Sequence, residues 1–84
     1  MSMDWMITFR SITFAQRAQA ALQRVGIDTG LQRTPKNLSN RGCGYCLLLK
    51  GRDAYLAVEI LQQRQIDYGK VYAKTATGME ERQL

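Results

Sequence analysis

The best-defined element of this sequence is a helical stripe between residues 14 and 25. Apolar residues recur there at spacings of four, three, one and three, which places them on one helix face: Phe14, Ala18, Ala21, Leu22 and Val25. Thr13 and Gln16 fit a capping box at the start of the helix. Gly26 follows at the position where a helix commonly ends in a left-handed residue. The other elements are assigned around this helix.

Four short β-rich runs and a second helical stripe complete the pattern. Strands are predicted at residues 5–9, 27–33, 46–49 and 71–73. The second helix is predicted to be capped by Asp53, and its stripe comprises Ala54, Ala57, Val58, Ile60 and Leu61. The resulting order, βαββαβ, is that of the ferredoxin-like α+β fold. Two right-handed crossovers then place both helices on one face of a four-stranded antiparallel sheet.

The length of 84 residues allows one domain. We predict that this ferredoxin-like domain spans residues 1–74. From residue 75 the sequence is polar and charged, so residues 75–84 are predicted to form a flexible C-terminal tail.

Composition limits the classes of function. No apolar run approaches the roughly 18 residues that a membrane span requires, and the start of the chain does not resemble a secretory signal. Two cysteines without an export signal therefore suggest reduced thiols in the cytoplasm. The net charge of +5 favours anionic partners, or simply a solvated basic surface. The absence of histidine excludes a Cys–His dyad and a Cys2His2 zinc site, and we predict neither a metal nor a cofactor.

The two cysteines, Cys43 and Cys46, form a C-x-x-C pair within the segment RGCGYCLLLKG. A zinc site would need four ligands, which only a dimer could supply. A disulfide would need a turn, because residues three apart in a strand lie about 10 Å apart, whereas bonded cysteines have Cα atoms within about 7 Å. In the third interpretation, Cys46 is a small buried hydrophobe and Cys43 an exposed, reactive thiol.

The surroundings of Cys43 favour this third interpretation. Gly42 and Gly44 leave the sulfur sterically open, and their backbone N–H groups could form an anion-binding nest. Cations that lie nearby in sequence would favour the thiolate: Arg33, Lys36 and Arg41. Without a general base, a thiolate is poorly suited to hydrolysis, but it can still accept and donate a sulfur or selenium atom.

Several short sequence motifs occur one after another along the chain. They are Ile7-Thr8-Phe9 followed by Ser11, Val25-Gly26-Ile27, Pro35 with Leu38-Ser39, Cys43-Gly44, and Ile66-Asp67-Tyr68 before Tyr72. In the residues, order and spacing of these motifs, the chain resembles the DUF3343 family of Se/S carrier-like proteins, from about residue 7 to residue 72.

This resemblance implies a carrier, not an enzyme, that holds sulfur or selenium on Cys43 as a persulfide or perselenide. It also implies two partners: a donor similar to cysteine desulfurase or selenocysteine lyase, and an acceptor similar to selenophosphate synthetase or another enzyme. Tyr45 and Cys46 would support the site. Because Cys46 matches no position associated with the family, a resolving role for it stays open.

An alternative is an RRM-like module that binds single-stranded RNA. Residues 41–48 resemble the longer ribonucleoprotein signature, but of its three aromatic positions only Tyr45 is aromatic. Trp5 or Phe9 could offer another stacking surface on the first strand. Each lost platform costs about 1–3 kcal/mol per base, so nucleic acid is the weaker prediction. Binding of a partner along a sheet edge, including a homodimer, is a further alternative.

Overall fold

The computed structural model describes residues 3–35 and 44–83. In chain order, its elements are β1 (Trp5–Phe9), α1 (Ile12–Arg24), β2 (Gly30–Arg33), β3 (Tyr45–Leu49), α2 (Ala54–Gln63), β4 (Val71–Thr75) and β5 (Gly78–Arg82). A 3-10 turn at Gly51–Asp53 leads into α2. Within these described ranges, neither helix is long and apolar enough to cross a membrane.

The strands form one sheet in the order β2-β3-β1-β4-β5, and every neighbouring pair is antiparallel. The first four strands have the predicted ferredoxin-like arrangement, with β1 and β3 in the interior. The predicted count of four strands is wrong, because β5 pairs with β4 where the sequence suggested a tail. Thr75 closes this hairpin by donating its hydroxyl to the Gly78 carbonyl, 2.9 Å away. The side chains of β5 are mostly exposed because it is an edge strand, so charged residues are tolerated there.

The start of α1 differs from the prediction by two residues. Ser11, and not Thr13, is the N-cap: its backbone is extended and its Oγ accepts a hydrogen bond from the Phe14 amide at 3.3 Å. Because β1 ends at Phe9, the chain turns within two residues and the helix begins at once. At the other end, Gly26 has φ +83°, which confirms the predicted left-handed stop.

α2 begins where it was predicted to begin, but its cap differs. Asp53 occupies the predicted N-cap position, yet its backbone conformation is helical and its side chain makes no capping hydrogen bond. The preceding 3-10 turn takes up the change of direction, and the Asp53 amide donates to the Lys50 carbonyl at 2.9 Å.

The two faces of the sheet are covered differently. Both helices pack on one face, which we call the helix-covered face, over a core to which β3 contributes Leu47 and Leu49. On the other face, here the open face, a small cluster contains Met6, Cys46 and Tyr72, with Leu48 and Met79 partly buried beside it. The apolar run of β3 is therefore divided between the two faces.

Candidate functional site

The candidate site lies where the connection between β2 and β3 leaves the sheet. Arg33 pairs with Tyr45 in the ladder, and the Thr34 amide donates to the Gly44 carbonyl at 3.1 Å. These contacts fix the base of the connection. Four predicted site residues lie outside the described residues: Lys36, Arg41, Gly42 and Cys43. The structure therefore describes the base, with Arg33, Gly44, Tyr45 and Cys46.

Position 44 requires a glycine for two reasons: its backbone conformation and the close approach of neighbouring atoms. Its φ of +132° lies in a region that L-amino acids rarely adopt. A Cβ placed here would also lie 3.3 Å from the Phe9 carbonyl oxygen and 3.5 Å from Thr34 Oγ1. The absence of a side chain at Gly44 thus allows the chain to enter β3 close to the end of β1. Sequence reasoning assigned it a different purpose, access to the sulfur.

Cys46 is a free thiol with no exposed surface. Its Sγ lies 3.9 Å from the Arg33 carbonyl, to which it donates, and the side chains of Gln32 and Thr34 also interact with it. Burial raises the pKa of the Cys46 thiol, and the interactions with Gln32 and Thr34 offset only part of that rise. Cys46 is therefore a protonated, inaccessible thiol, which agrees with its interpretation as a small buried hydrophobe.

Gln32 and Thr34 are residues that sequence reasoning missed. Thr34 Oγ1 is buried and has no well-aligned hydrogen-bond partner within the described residues, although it lies close enough to the thiol to favour the thiolate slightly. Gln32 lies directly opposite Cys46 in the ladder. Only the register of β2 against β3 reveals these neighbours, and the sequence offered no separate signal for that register.

Tyr45 and Cys46 face opposite sides of the sheet. Tyr45 packs against the core of the helix-covered face, and the guanidinium carbon of Arg33 lies 5.7 Å from the centre of its ring. This distance fits a cation–π contact. The structure thus brings Arg33 and Tyr45 together and separates both side chains from the thiol of Cys46.

A comparison with protein-family models matches residues 4–73 to the family described as "Putative Se/S carrier protein-like". The chain belongs to this family. The part that matches the Se/S carrier-like family includes both helices, both cysteines and the base just described, whereas β5 lies beyond it. Comparisons with curated proteins and with solved structures gave no match.

The aromatic residues of this Se/S carrier-like chain do not form an RNA-stacking surface on its open face. Phe9 is 3% exposed and belongs to the helix-covered core, against which Trp5 and Tyr45 also pack. The expectation that Trp5 or Phe9 presents an exposed platform is therefore wrong. Within the described strands, Tyr72 is the aromatic residue on the open face, and it is buried among Met6 and Cys46.

Proposed function

We propose that this protein carries sulfur or selenium as a persulfide or perselenide on Cys43 and is not itself an enzyme. The observation that carries the proposal is the complete burial of Cys46 in a chain whose family match spans residues 4–73. The sequence has two cysteines. Since a partner enzyme cannot reach a thiol without exposed surface, Cys43 is the residue available for loading.

Loading is a thiol exchange in which no outside oxidant is consumed. The Cys43 thiolate attacks the outer sulfur of a persulfide on a donor similar to cysteine desulfurase. The donor's sulfur–sulfur bond breaks, a new one forms on Cys43, and the donor cysteine leaves as a thiolate. With a donor similar to selenocysteine lyase, a selenium atom takes the place of the outer sulfur.

Delivery reverses the same chemistry. A thiolate of the acceptor, which is similar to selenophosphate synthetase or another enzyme, attacks the terminal sulfur or selenium, and Cys43 leaves as a thiolate. A resolving role for Cys46 would require its cluster with Met6 and Tyr72 to open. We therefore assign Cys46 a structural role.

The surroundings of Cys43 have separate roles in this proposal. Gly44 allows the chain to pass close to the end of β1, and Gly42 leaves room for an approaching partner. Lys36 and Arg41 favour the thiolate and the anionic cargo through their charge. Arg33 supplies a further cation, oriented by its contact with Tyr45.

Intact-mass spectrometry tests the proposal. The full chain is incubated with a cysteine desulfurase and cysteine, or with a selenocysteine lyase and selenocysteine, and then trapped with an alkylating agent. We expect an adduct of one sulfur or one selenium atom in the wild type and in Cys46→Ser, but not in Cys43→Ser. Omission of the donor enzyme is the control. An adduct that persists in Cys43→Ser would contradict the assignment.

A further inference from the structure

A groove runs between α1 and the end of α2, on the helix side of the molecule. Its volume is about 600 Å³. Three exposed arginines line it: Arg17 and Arg24 from α1, and Arg64 just after α2. Two buried apolar residues, Ala21 and Ile66, also line it. We call this feature the arginine groove.

Among the described residues, no carboxylate forms an ion pair with the arginines of the arginine groove. No residue that lines it is acidic, and α1 contains no aspartate or glutamate along its whole length. The ion pairs among the described residues join Lys70 to Glu81 and Arg82 to Glu80, both on strands β4–β5 or the segment before them. The three arginines are therefore available to an anionic partner.

The shape of the groove favours a protein segment over a free anion. Arg17 and Arg24 lie seven residues apart on one helix stripe, which separates them by about 10 Å along α1. Between them, Ala20 and Ala21 leave room for another backbone to approach. Two cations at this spacing match two carboxylates spaced two helical turns apart. Nucleic acid would instead need a longer cationic track or aromatic stacking surfaces, and no aromatic residue lines the groove.

The α2 end of the groove lies at the end of the sheet where β2 ends and β3 begins. After Arg64 and Ile66, the chain reaches Gly69, whose amide donates to the Thr8 carbonyl at 2.6 Å near the end of β1. The next carbonyl, that of Phe9, is the one that a Cβ at Gly44 would approach to 3.3 Å. The α2 end of the groove and the base of the β2–β3 connection thus lie at the same end of the sheet.

We propose that the arginine groove docks an acidic segment of the protein that loads or unloads Cys43. The identity of that partner rests on the proposed carrier function, whereas the binding of acidic protein does not. Guanidinium groups pair with carboxylates in a fixed, two-pronged geometry. Arg17 and Arg24 hold one side of the segment, Arg64 holds the other, and small apolar side chains contact Ala21 and Ile66.

The test is an NMR titration of the reduced, full-length chain with an acidic probe. The probe is a helical alanine–glutamine peptide with two glutamates seven residues apart. A second peptide of identical composition has them two residues apart, on opposite helix faces. We expect the first peptide to shift the amide signals of Ala20, Ala21 and Ile66, and to bind more tightly than the second. Shifts confined to other residues, no shifts at millimolar peptide, or equal binding of both peptides would overturn the proposal.

Two triple variants that lose the same charge distinguish binding in the arginine groove from nonspecific attraction to a basic protein. Arg17→Gln/Arg24→Gln/Arg64→Gln should weaken binding about tenfold, because it removes the cations that form two exposed ion pairs with the two glutamates of the peptide. Arg10→Gln/Arg52→Gln/Lys74→Gln changes exposed cations outside the groove and should weaken it less than about threefold. Equal losses in the two variants would overturn the proposal. So would displacement of the peptide by single-stranded RNA or inorganic phosphate at lower concentrations than those of the peptide.

A single substitution provides an independent check. Ala20→Glu places a carboxylate inside the groove, at an exposed helical position that tolerates it, and should abolish peptide binding. Gln23→Glu adds the same charge to α1 outside the groove lining and should have little effect. If the peptide fails to bind while the donor still loads Cys43, the groove proposal fails and the carrier function stands. If the peptide binds in the groove but the donor does not load Cys43, the groove proposal stands and the carrier function fails.

Discussion

The two faces of this sheet differ in what covers them, although both contain fully buried residues. On the helix-covered face, two helices enclose a core of aliphatic side chains and alanines. On the open face, three buried residues, Met6, Cys46 and Tyr72, are accompanied by side chains that remain partly exposed. The first face therefore provides most of the stability of the fold. The second holds a cysteine that is shielded but lies only three residues from the proposed carrier cysteine.

The burial of Cys46 bears on the proposed division of roles between the two cysteines of the C-x-x-C pair. Cys46 belongs to the ladder and is sealed by its neighbours, which raises its pKa and prevents attack on a donor. Cys43 belongs to the connection that precedes Gly44. Under the proposed carrier function, the pair therefore combines one structural residue, Cys46, with one carrier residue, Cys43.

The largest expected effect comes from Leu47, which can be compared directly with its neighbour Leu48. Leu47 is fully buried on the helix-covered face, whereas Leu48 is partly exposed on the open face. Leu47→Ala should lower the free energy of unfolding by about 2–5 kcal/mol, because it leaves a cavity in the core. Leu48→Ala should cost about half of that or less. Urea denaturation measures both, and equal losses would mean that the open face is covered in solution.

Gly44 and Gly78 form a second matched pair. Their φ values are +132° and +131°, but a Cβ at Gly78 would have no neighbour within 4 Å, whereas one at Gly44 would press on Phe9. The strained backbone should cost about 1–3 kcal/mol in either alanine variant, and Gly44→Ala should cost more because of the added contact. Thermal or urea unfolding of both variants checks this. Equal costs would show that the connection relaxes away from β1 without penalty.

The pH dependence of stability tests the burial of Cys46. Because the pKa of this thiol is higher in the folded than in the unfolded chain, its stabilising contribution is complete below the unfolded value, about 9.0. It is then lost as the pH rises towards the folded value, by up to about 1.4 kcal/mol per pH unit. Cys46→Ala should lose less stability between pH 8 and 10 than Cys43→Ala. An identical decline in both variants would contradict the assigned environment.

The smallest expected effect concerns the contact between Arg33 and Tyr45 at the edge of the helix-covered face. An exposed cation–π pair contributes about 0.5–1 kcal/mol, so Arg33→Gln should lower the free energy of unfolding by no more than that. Arg52→Gln changes another exposed arginine and serves as the control. A loss well above 1 kcal/mol would indicate that Arg33 has contacts beyond the ring of Tyr45.

The parts of the fold that depend on local pattern could be predicted from the sequence. The stripe on α1 and the order of the first six elements follow from periodicity within short windows. The strand β5 could not be predicted in this way, since a charged edge strand shows no apolar alternation. The N-cap was misplaced because Ser11 and Thr13 are both hydroxyl residues, and only the end of β1 distinguishes them.

The site was predictable to a smaller extent, because its contacts join residues that are distant in the sequence. The importance of Gly44 was predicted, but its physical reason requires Phe9, 35 positions earlier along the chain. The environment of Cys46 depends on the register of β2 against β3, which places Gln32 opposite the thiol. The arginine groove requires the packing of α1 against the end of α2, which no single segment encodes.

The hairpin of β4 and β5 changes what the sheet offers at one of its two borders. β5 covers the free side of β4 and becomes the outer strand itself, and its charged residues Glu80, Glu81 and Arg82 make that border a poorer template for another strand. The other outer strand is β2, in which Arg33 is the charged residue and which leads into the proposed carrier segment. An extended polypeptide that paired with β2 would lie beside the start of that segment, whereas one that paired with β5 would meet a row of charged side chains.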